Sequence, residues 1–336
     1  MFSLTFIHIN DAIKTKVQEF VAAYKSGIDV GVQTSGSTGP PKTILHSCQT
    51  LKASAHRTNA FFGLTKSSYA LLPLSVDTIA GKMMIIRAIE GDYSLTIIGA
   101  TSDFISVADL QFDFVPLVPL QLAQIIKKNP SFLSKIKTVL LGGGILSDEL
   151  RKLIQSSDTP IIYQGFGMSE TASHIALRQI SPIEEASYTA MEGVDFYLST
   201  KGTIIINDLV LVIKDLRTQD LVQLIDEKHF NWIGRIDFTI NSGGIKMQIE
   251  ELEAKWKALL KTPFFIWKEE DKLLGERIIL VLEGKAMNLD KVHNFKENFS
   301  PYEWPKKFYA MEEFVRSESH KVLRQASYKK QLLAIG

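Results

Sequence analysis

The folds open to this chain are limited most by a rhythm in its first two-thirds. Helix-like and strand-like segments alternate there, and glycine- or hydroxyl-rich loops fall where strands end. "IKTKVQEFVAAYKS" has helical spacing and stops near Gly27, and "IDVGVQTS" reads as a short strand. "TILHSCQTLKASAHRTNAFFG" reads as a helix closing at Gly63, "YALLPL" as a buried strand and "IAGKMMIIRAIEG" as a helix. "YSLTIIGA" is strand-like, "FDFVPLVPLQLAQIIKKN" a strand turning through Pro119 into a helix, and "IKTVLLGGG" a strand ending in glycines. "LSDELRKLIQS" is then a helix and "PIIYQGFGMSE" a strand and loop. Such a rhythm predicts an α/β fold whose large N-terminal domain has a mainly parallel sheet flanked by helices. Ligands in such sheets bind at the carboxyl ends of strands, where residues 34–39, 142–144 and 164–171 are expected to lie.

From about Gly193 the texture shifts to short, antiparallel-style strands, and the chain closes with strands ("FFIWKE", "RIILVLEG") and helices ("NLDKVHNFKENFS"). This reads as a small α+β domain of residues 237–336 following a large domain of residues 1–236, with the boundary near "GRIDF". At 336 residues the chain exceeds what one core holds well.

Net charge is +1, which leaves no basic field for nucleic acid. Cys48 is the only cysteine, so no intramolecular disulfide or CxxC pair can form, and a cytoplasmic setting is expected. The N-terminus reads as mature protein. The most apolar stretch, Leu71 to Ile89, carries Asp77, Lys82 and Arg87, so no membrane span is expected.

Five stretches carry chemistry. "TSGSTGPPK" fails the Walker A pattern because Pro41 stands where a glycine should precede Lys42. Gly36 and Gly39 still permit close backbone approach. Thr34, Ser35, Ser37 and Thr38 offer hydroxyls, Lys42 a positive charge, and the next helix an N-terminus. The segment alone is equally a solvated Ser/Gly loop. In "FGMSE", Ser169 can donate to a phosphate oxygen or cap a helix, Glu170 can hold Mg²⁺, and Phe166 can lie against a flat base. In "TQD" and "GRID", Asp220 can accept hydroxyl hydrogens and Arg235 can donate a fork of bonds. "NSGGIK" is a turn for close backbone approach, and Lys321 sits in polar "SESHKVLR". Taken alone, each of these four reads as an ordinary polar loop, surface charge or turn.

Their order is more specific than any member. It resembles the adenylate-forming superfamily of acyl-CoA synthetases, non-ribosomal peptide synthetase adenylation domains and luciferases, from about residue 31 to residue 330. "FGMSE" is similar to that family's "YGxTE", "TQD" to its "TGD", "SGGIK…EELE" to its "SGGxK…EIE" and "HKVLR" to its "GKxxR". The resemblance implies ATP, Mg²⁺ and coenzyme A. It implies that Thr34 to Lys42 hold the β- and γ-phosphates, and that Phe166 and Gly167 face adenine opposite Gly142, Gly143 and Gly144. It gives Ser169 the α-phosphate, Glu170 the metal, and Asp220 and Arg235 the ribose. It makes Lys321 the catalytic lysine, Asp237 the hinge, and Gly243, Gly244 and Lys246 a loop on the CoA side. Gln219 and His320 replace glycines of the pattern, and Phe166 a tyrosine. Only 33 residues precede Thr34, fewer than such proteins usually have. Part of the large domain is therefore expected to be missing, with the sheet edge so exposed covered by a second copy.

"LLPLSVDTIAGKMMIIRAI", "FVPLVPLQLAQII" and "MSETASHIALR" resemble matching regions of the 2-succinylbenzoate–CoA ligases of menaquinone biosynthesis. A substrate with two carboxylates needs a second cation or donor set. Arg87 and His174 are the candidates, then Ser75 and Thr171, although Arg87 also reads as a helix-surface arginine. Other readings are a different acyl- or aryl-CoA ligase, an enzyme loading a carrier protein, a nucleotide sensor without turnover, or a phosphotransfer enzyme that would yield ADP and orthophosphate.

Overall fold

The computed structural model describes residues 1–34, 42–101, 103–144, 146–157, 160–284, 292–316, 322–330 and 332–334. They fall in two compact units. The first comprises Met1–Thr34, Lys42–Thr218 and Gln223–Trp232; the second comprises Gln219–Val222 and Ile233 onward. Among the described residues no helix is long and apolar enough to cross a membrane.

The strands in chain order are β1 (Ser3–Phe6), β2 (Val30–Thr34), β3 (Lys42–His46), β4 (Tyr69–Leu72), β5 (Ser94–Ile97), β6 (Phe112–Leu117) and β7 (Ile136–Leu141). They continue with β8 (Ile161–Gly167), β9 (His174–Ser181), β10 (Tyr188–Ala190), β11 (Val194–Leu198), β12 (Thr203–Asp208), β13 (Ile213–Leu224) and β14 (His229–Arg235). All but β2 and β3 join one sheet in the order β1-β5-β4-β6-β7-β8-β9-β10-β14-β13-β12-β11. From β1 to β8 the pairings are parallel, and from β9 on the described ones are antiparallel. The parallel strands read as unbroken apolar runs because both faces are covered. In β4 only Tyr69 is exposed, and in β7 only Lys137.

The covering helices are α1 (Asp11–Lys25), α2 (Cys48–Phe62), α3 (Ile79–Gly91), α4 (Pro119–Lys128), α5 (Pro130–Leu133) and α6 (Asp148–Gln155). Local chemistry sets their ends. Asn10, Ser47, Thr78 and Ser147 each accept an N–H of the first turn, and Gly63 closes α2 at φ 63°. Helix α3 has no polar face: Met83 through Ala88 are all buried. A helix apolar all round belongs inside, and this one takes Arg87 with it. One core lies between the parallel strands and α4–α6, around Phe112, Val115, Leu122, Phe132, Val139, Leu150 and Ile162. Another joins Val30 and Val32 to Leu51, Met83, Ile86 and Ala172.

Three expectations change. The stretch from Thr43 to His46 is not helix: Lys42–His46 pairs antiparallel with Val30–Thr34 as a separate two-stranded hairpin, with Thr34 opposite Lys42. The helix N-terminus therefore does not follow directly on the hydroxyl-rich segment. Strand β8 runs to Gly167, so Gln164 to Gly167 are strand rather than loop. The antiparallel strands begin at His174, earlier than Gly193, and extend the large sheet.

In the second unit β15 (Thr239–Ser242), β16 (Ile245–Gln248), β17 (Phe264–Asp271), β18 (Gly275–Glu283), β19 (Lys307–Met311) and β20 (Leu333–Ala334) form a second sheet. Helices α7 (Ile249–Lys257) and α8 (Arg324–Lys329) accompany it. Its core centres on Trp256, stacked on Phe299 with ring centroids 4.5 Å apart. Within "NLDKVHNFKENFS", the described part includes helical Val292 and His293 and a short 3₁₀ turn, Lys296–Asn298.

Candidate active site

The turn from Met168 to Ser173 joins β8 to β9 and is folded tightly. Gly167 pairs with His174 across a register shift. A Cβ on Gly167 would stand 2.6 Å from the His174 Cα and 2.8 Å from the Ser173 carbonyl carbon, so only glycine fits. Ser169–Thr171 makes one 3₁₀ turn, and Ala172, fully buried, holds φ 57° and ψ −36°. A non-glycine residue there stores strain, a mark of functional turns. Ser169 caps no helix; its carbonyl accepts from the Ala172 N–H. The exposed Glu170 carboxylate faces solvent. Thr171 is fully buried, and its hydroxyl bonds Met168 and Ser173 backbone. That hydroxyl serves the turn, which leaves little for a substrate.

Arg87 is 2% exposed, which overturns its reading as a surface arginine. Its Nη2 donates to the Ser173 hydroxyl, and its Nε is buried with no partner among the described residues. Among the described residues no carboxylate pairs with it. Burial lowers its pKa to about 10, so it remains a cation at neutral pH.

The bonds beyond Ser173 run in one direction. The Ser54 carbonyl can only accept, so the Thr58 hydroxyl, 3.0 Å away, donates to it. The Thr58 oxygen then accepts from His174 Nε2 at 3.4 Å, and His174 Nδ1, 3.1 Å from Ser173 Oγ, accepts from that hydroxyl. His174 is thereby neutral and engaged at both nitrogens. Burial, then the charges of Arg87 and Arg57, push its pKa well below the ordinary range. It supports Ser173 and Arg87 and adds no second cation. Arg57 has its own buried carboxylate, Asp208, with Nη1–O distances of 3.0 and 2.9 Å.

Stability should follow this neutral histidine. Its folded pKa lies below the unfolded value of about 6.5, so the unfolded chain binds the extra proton. The contribution is complete above about pH 6.5 and falls by up to ~1.4 kcal/mol per unit as pH drops below it. Urea unfolding of wild type and His174→Gln between pH 7.5 and 5.5 measures this. An identical slope in both proteins removes His174 as the cause.

Phe166, half-buried, lies on an aromatic floor, its ring centroid 5.0 Å from that of Phe230 and 5.9 Å from that of Tyr188. Gly142–Gly144 follow β7, beside β8; Gly143 has φ 75°, and a Cβ on Gly142 would meet nothing within 4 Å. Ser75 is placed in the turn before α3, where its carbonyl accepts from Thr78 and its Oγ from the Asp77 N–H. Phe166, Gly142–Gly144 and Ser75 lie at the carboxyl ends of β8, β7 and β4 or in the turns that follow them. The β2–β3 hairpin meets this turn at His46, which pairs with Val30 at the end away from Thr34 and Lys42; its Nε2–H donates to the Ser169 carbonyl at 2.7 Å. Ser35 to Pro41 and Lys321 lie outside the described residues.

In the second unit Arg235 donates Nε and Nη2 to Asp237 at 3.0 and 2.9 Å and sits 3.8 Å from Asp220. Burial pulls its pKa down, but Asp237, Asp220 and Glu250 outweigh this and raise it. Burial pushes Glu250 up to about 7. Gly243 and Gly244, at φ 59° and 84°, turn the β15–β16 hairpin, and Lys246 on β16 is exposed. Arg324 is bound to buried Glu253, with Nη2–Oε2 at 2.6 Å.

Sequence reasoning missed His46, Ser173, Thr58, Tyr188 and Phe230. Ser173 alone left a trace, as a hydroxyl beside His174 in "SETASH".

A family model described as AMP-binding enzyme matches residues 32–222. A 2-succinylbenzoate–CoA ligase of Staphylococcus epidermidis is 22% identical over 351 residues, 95% of this chain and 73% of that one. An acyl-CoA synthetase (AMP-forming)/AMP-acid ligase II-like protein from Dyadobacter fermentans is 30% identical, covers 96% of both chains and superposes with a TM-score of 0.63. The O-succinylbenzoate coenzyme A synthetase of Bacillus subtilis, solved with ATP and magnesium ion, is 21% identical over 89% of this chain and 69% of that one, with a TM-score of 0.77.

Proposed function

Since the chain belongs to the AMP-binding enzyme family, we propose that it is an ATP-dependent acid–thiol ligase whose acid is an aromatic dicarboxylate, 2-succinylbenzoate, and whose acceptor is coenzyme A. The substrate carboxylate attacks the α-phosphorus of ATP, giving acyl-AMP and pyrophosphate. The thiol then attacks the acyl carbonyl and expels AMP, leaving the thioester.

One observation carries the choice of acid: Arg87 is a buried guanidinium with no carboxylate among the described residues to neutralise it. A buried charge is expensive unless paired, and the free carboxylate of a diacid is the partner that would complete it. The relatives named for 2-succinylbenzoate support the same choice. Ser75 would border this pocket from the turn before α3.

The remaining roles follow the family pattern. Thr34 to Lys42 take the terminal phosphates, and Ser169 the α-phosphate. Phe166, Gly167 and Gly142–Gly144 take adenine, and Asp220 and Arg235 the ribose. Lys321 bridges carboxylate and α-phosphate, Gly243, Gly244 and Lys246 serve the CoA side, and Asp237 is the hinge of a domain of residues 237–336. Among the described residues no three His, Cys, Asp or Glu side chains converge as a metal cage. Glu170 alone fits Mg²⁺, which takes one or two carboxylates and completes its shell with phosphates and water. When bound, the ion would offset charge on the phosphates. Arg235 must release Asp237 in part to reach a ribose, an exchange of one charge-assisted partner for another.

The test is pyrophosphate release from ATP and Mg²⁺ with a panel of mono- and dicarboxylic acids, followed by thioester formation with coenzyme A. The aromatic diacid should give the largest kcat/KM. Release of ADP and orthophosphate would replace the ligase reading with phosphotransfer, and a preference for monoacids would remove Arg87 from substrate binding.

A further inference from the structure

We propose that Thr58 is a positioning residue for selection of the acid: it fixes which nitrogen of His174 carries the hydrogen, and through Ser173 it holds the Arg87 guanidinium ready for the second carboxylate of a diacid. This rests on the aromatic-dicarboxylate reading above and adds to it a residue that touches no substrate and lies in none of the motifs.

Four donors point the same way. Arg87 Nη2 donates to the Ser173 hydroxyl, Ser173 to His174 Nδ1, His174 Nε2 to Thr58, and Thr58 to the Ser54 carbonyl. Only the last acceptor has no hydrogen to redirect, so it sets the direction of the rest. The Thr58 hydroxyl has one hydrogen, and its contact with that carbonyl, 3.0 Å, is shorter than the 3.4 Å to His174. A neutral imidazole has one N–H, and its place at Nε2 leaves Nδ1 bare to take the Ser173 hydrogen. The Ser173 oxygen then offers Arg87 lone pairs alone. In the other tautomer, Nδ1–H would compete with Arg87 for that oxygen, and the Ser173 hydrogen would need a different acceptor.

Thr58 and His174 are both buried, so water does not readily replace a lost link. The helices are held together by another bond: Asn59, next to Thr58 on α2, donates Nδ2 to the Arg87 carbonyl on α3 at 2.9 Å. Removing the Thr58 hydroxyl therefore redirects hydrogens without separating α2 from α3. An acid whose second carboxylate relies on Arg87 loses affinity; an acid without that carboxylate does not.

The test joins acid kinetics to nitrogen-15 spectra of the histidine rings in the full chain, with the His174 signal identified by its loss in His174→Gln. Wild type and Thr58→Ser should carry the His174 hydrogen at Nε2, and Thr58→Val should move it toward Nδ1. Thr58→Val should raise the KM for the aromatic diacid about tenfold, as expected for one lost hydrogen bond in a buried relay. Its kcat, and its KM for a monoacid and for ATP, should stay within about twofold, and Thr58→Ser should restore the diacid KM. A wild-type hydrogen at Nδ1, an unchanged diacid KM in Thr58→Val, an equal rise for diacid and monoacid, or failure of Ser to rescue overturns the positioning role alone. A wild type that shows no preference for the diacid overturns the substrate reading and the positioning role with it.

Discussion

Arg87→Ala raises the KM for an aromatic dicarboxylate about a hundredfold and leaves adenylation of a monocarboxylate near its wild-type rate. The guanidinium is 2% exposed and its Nε has no partner among the described residues. Its pKa, lowered by burial to about 10, still leaves it charged at neutral pH. Truncating one partner of a buried, hydrogen-bonded charge pair costs about 2–5 kcal/mol, which brackets a hundredfold effect. Arg87→Lys should rescue poorly, since an ammonium cannot give a planar fork to both Ser173 and a carboxylate. A second readout separates binding from architecture. An isosteric apolar replacement, Arg87→Met, removes an uncompensated charge from the empty protein and should leave thermal stability equal or higher. A fall in stability with unchanged KM would make Arg87 a structural group.

Gly167→Ala lowers stability by about 3 kcal/mol or more and the melting temperature by roughly 6–12 °C. The added methyl would lie 2.6 Å from the His174 Cα, and the obstacle is backbone of β9 rather than a movable side-chain end. Relief requires β9 to separate from β8 at the register where Gly167 pairs His174, which also displaces Ser173 from Arg87. Gly142→Ala is the control: its methyl meets nothing within 4 Å and its backbone is not in the left-handed region, so stability should change by less than about 0.5 kcal/mol. Circular dichroism melts of both variants compare the two effects, and equal melting temperatures would mean that the turn yields more easily than its geometry implies.

The region around His174 shows how much could be read ahead of the fold. The apolar run of "IAGKMMIIRAIEG" has no polar face, and that alone places α3, and therefore Arg87, inside. Helix-surface arginine was a reading from residue type, and the periodicity argued against it. What periodicity could not supply is the partner. Ser173 lies 86 residues away and reaches Arg87 only because β9 turns back beside β8. Likewise the helix expected from Thr43 had plausible spacing. The β-branched Thr43 and Ile44 favour a strand, but the strand exists because Val30–Thr34 is there to pair with it.

By itself the sequence determined what local chemistry controls. Apolar runs and alternation set the order of most strands and helices, small polar residues and glycines set their ends, and the ordered motifs set the class of reaction proposed. Only the tertiary structure decided which polar groups are buried and which face one another: Arg87 without a carboxylate among the described residues, His174 neutral between Ser173 and Thr58, Arg235 held by Asp237, and His46 bonded to the Ser169 carbonyl. The physical reason is range. Propensity and capping act over one or two turns of chain, whereas desolvation and hydrogen-bond direction depend on residues that meet only when distant strands pair.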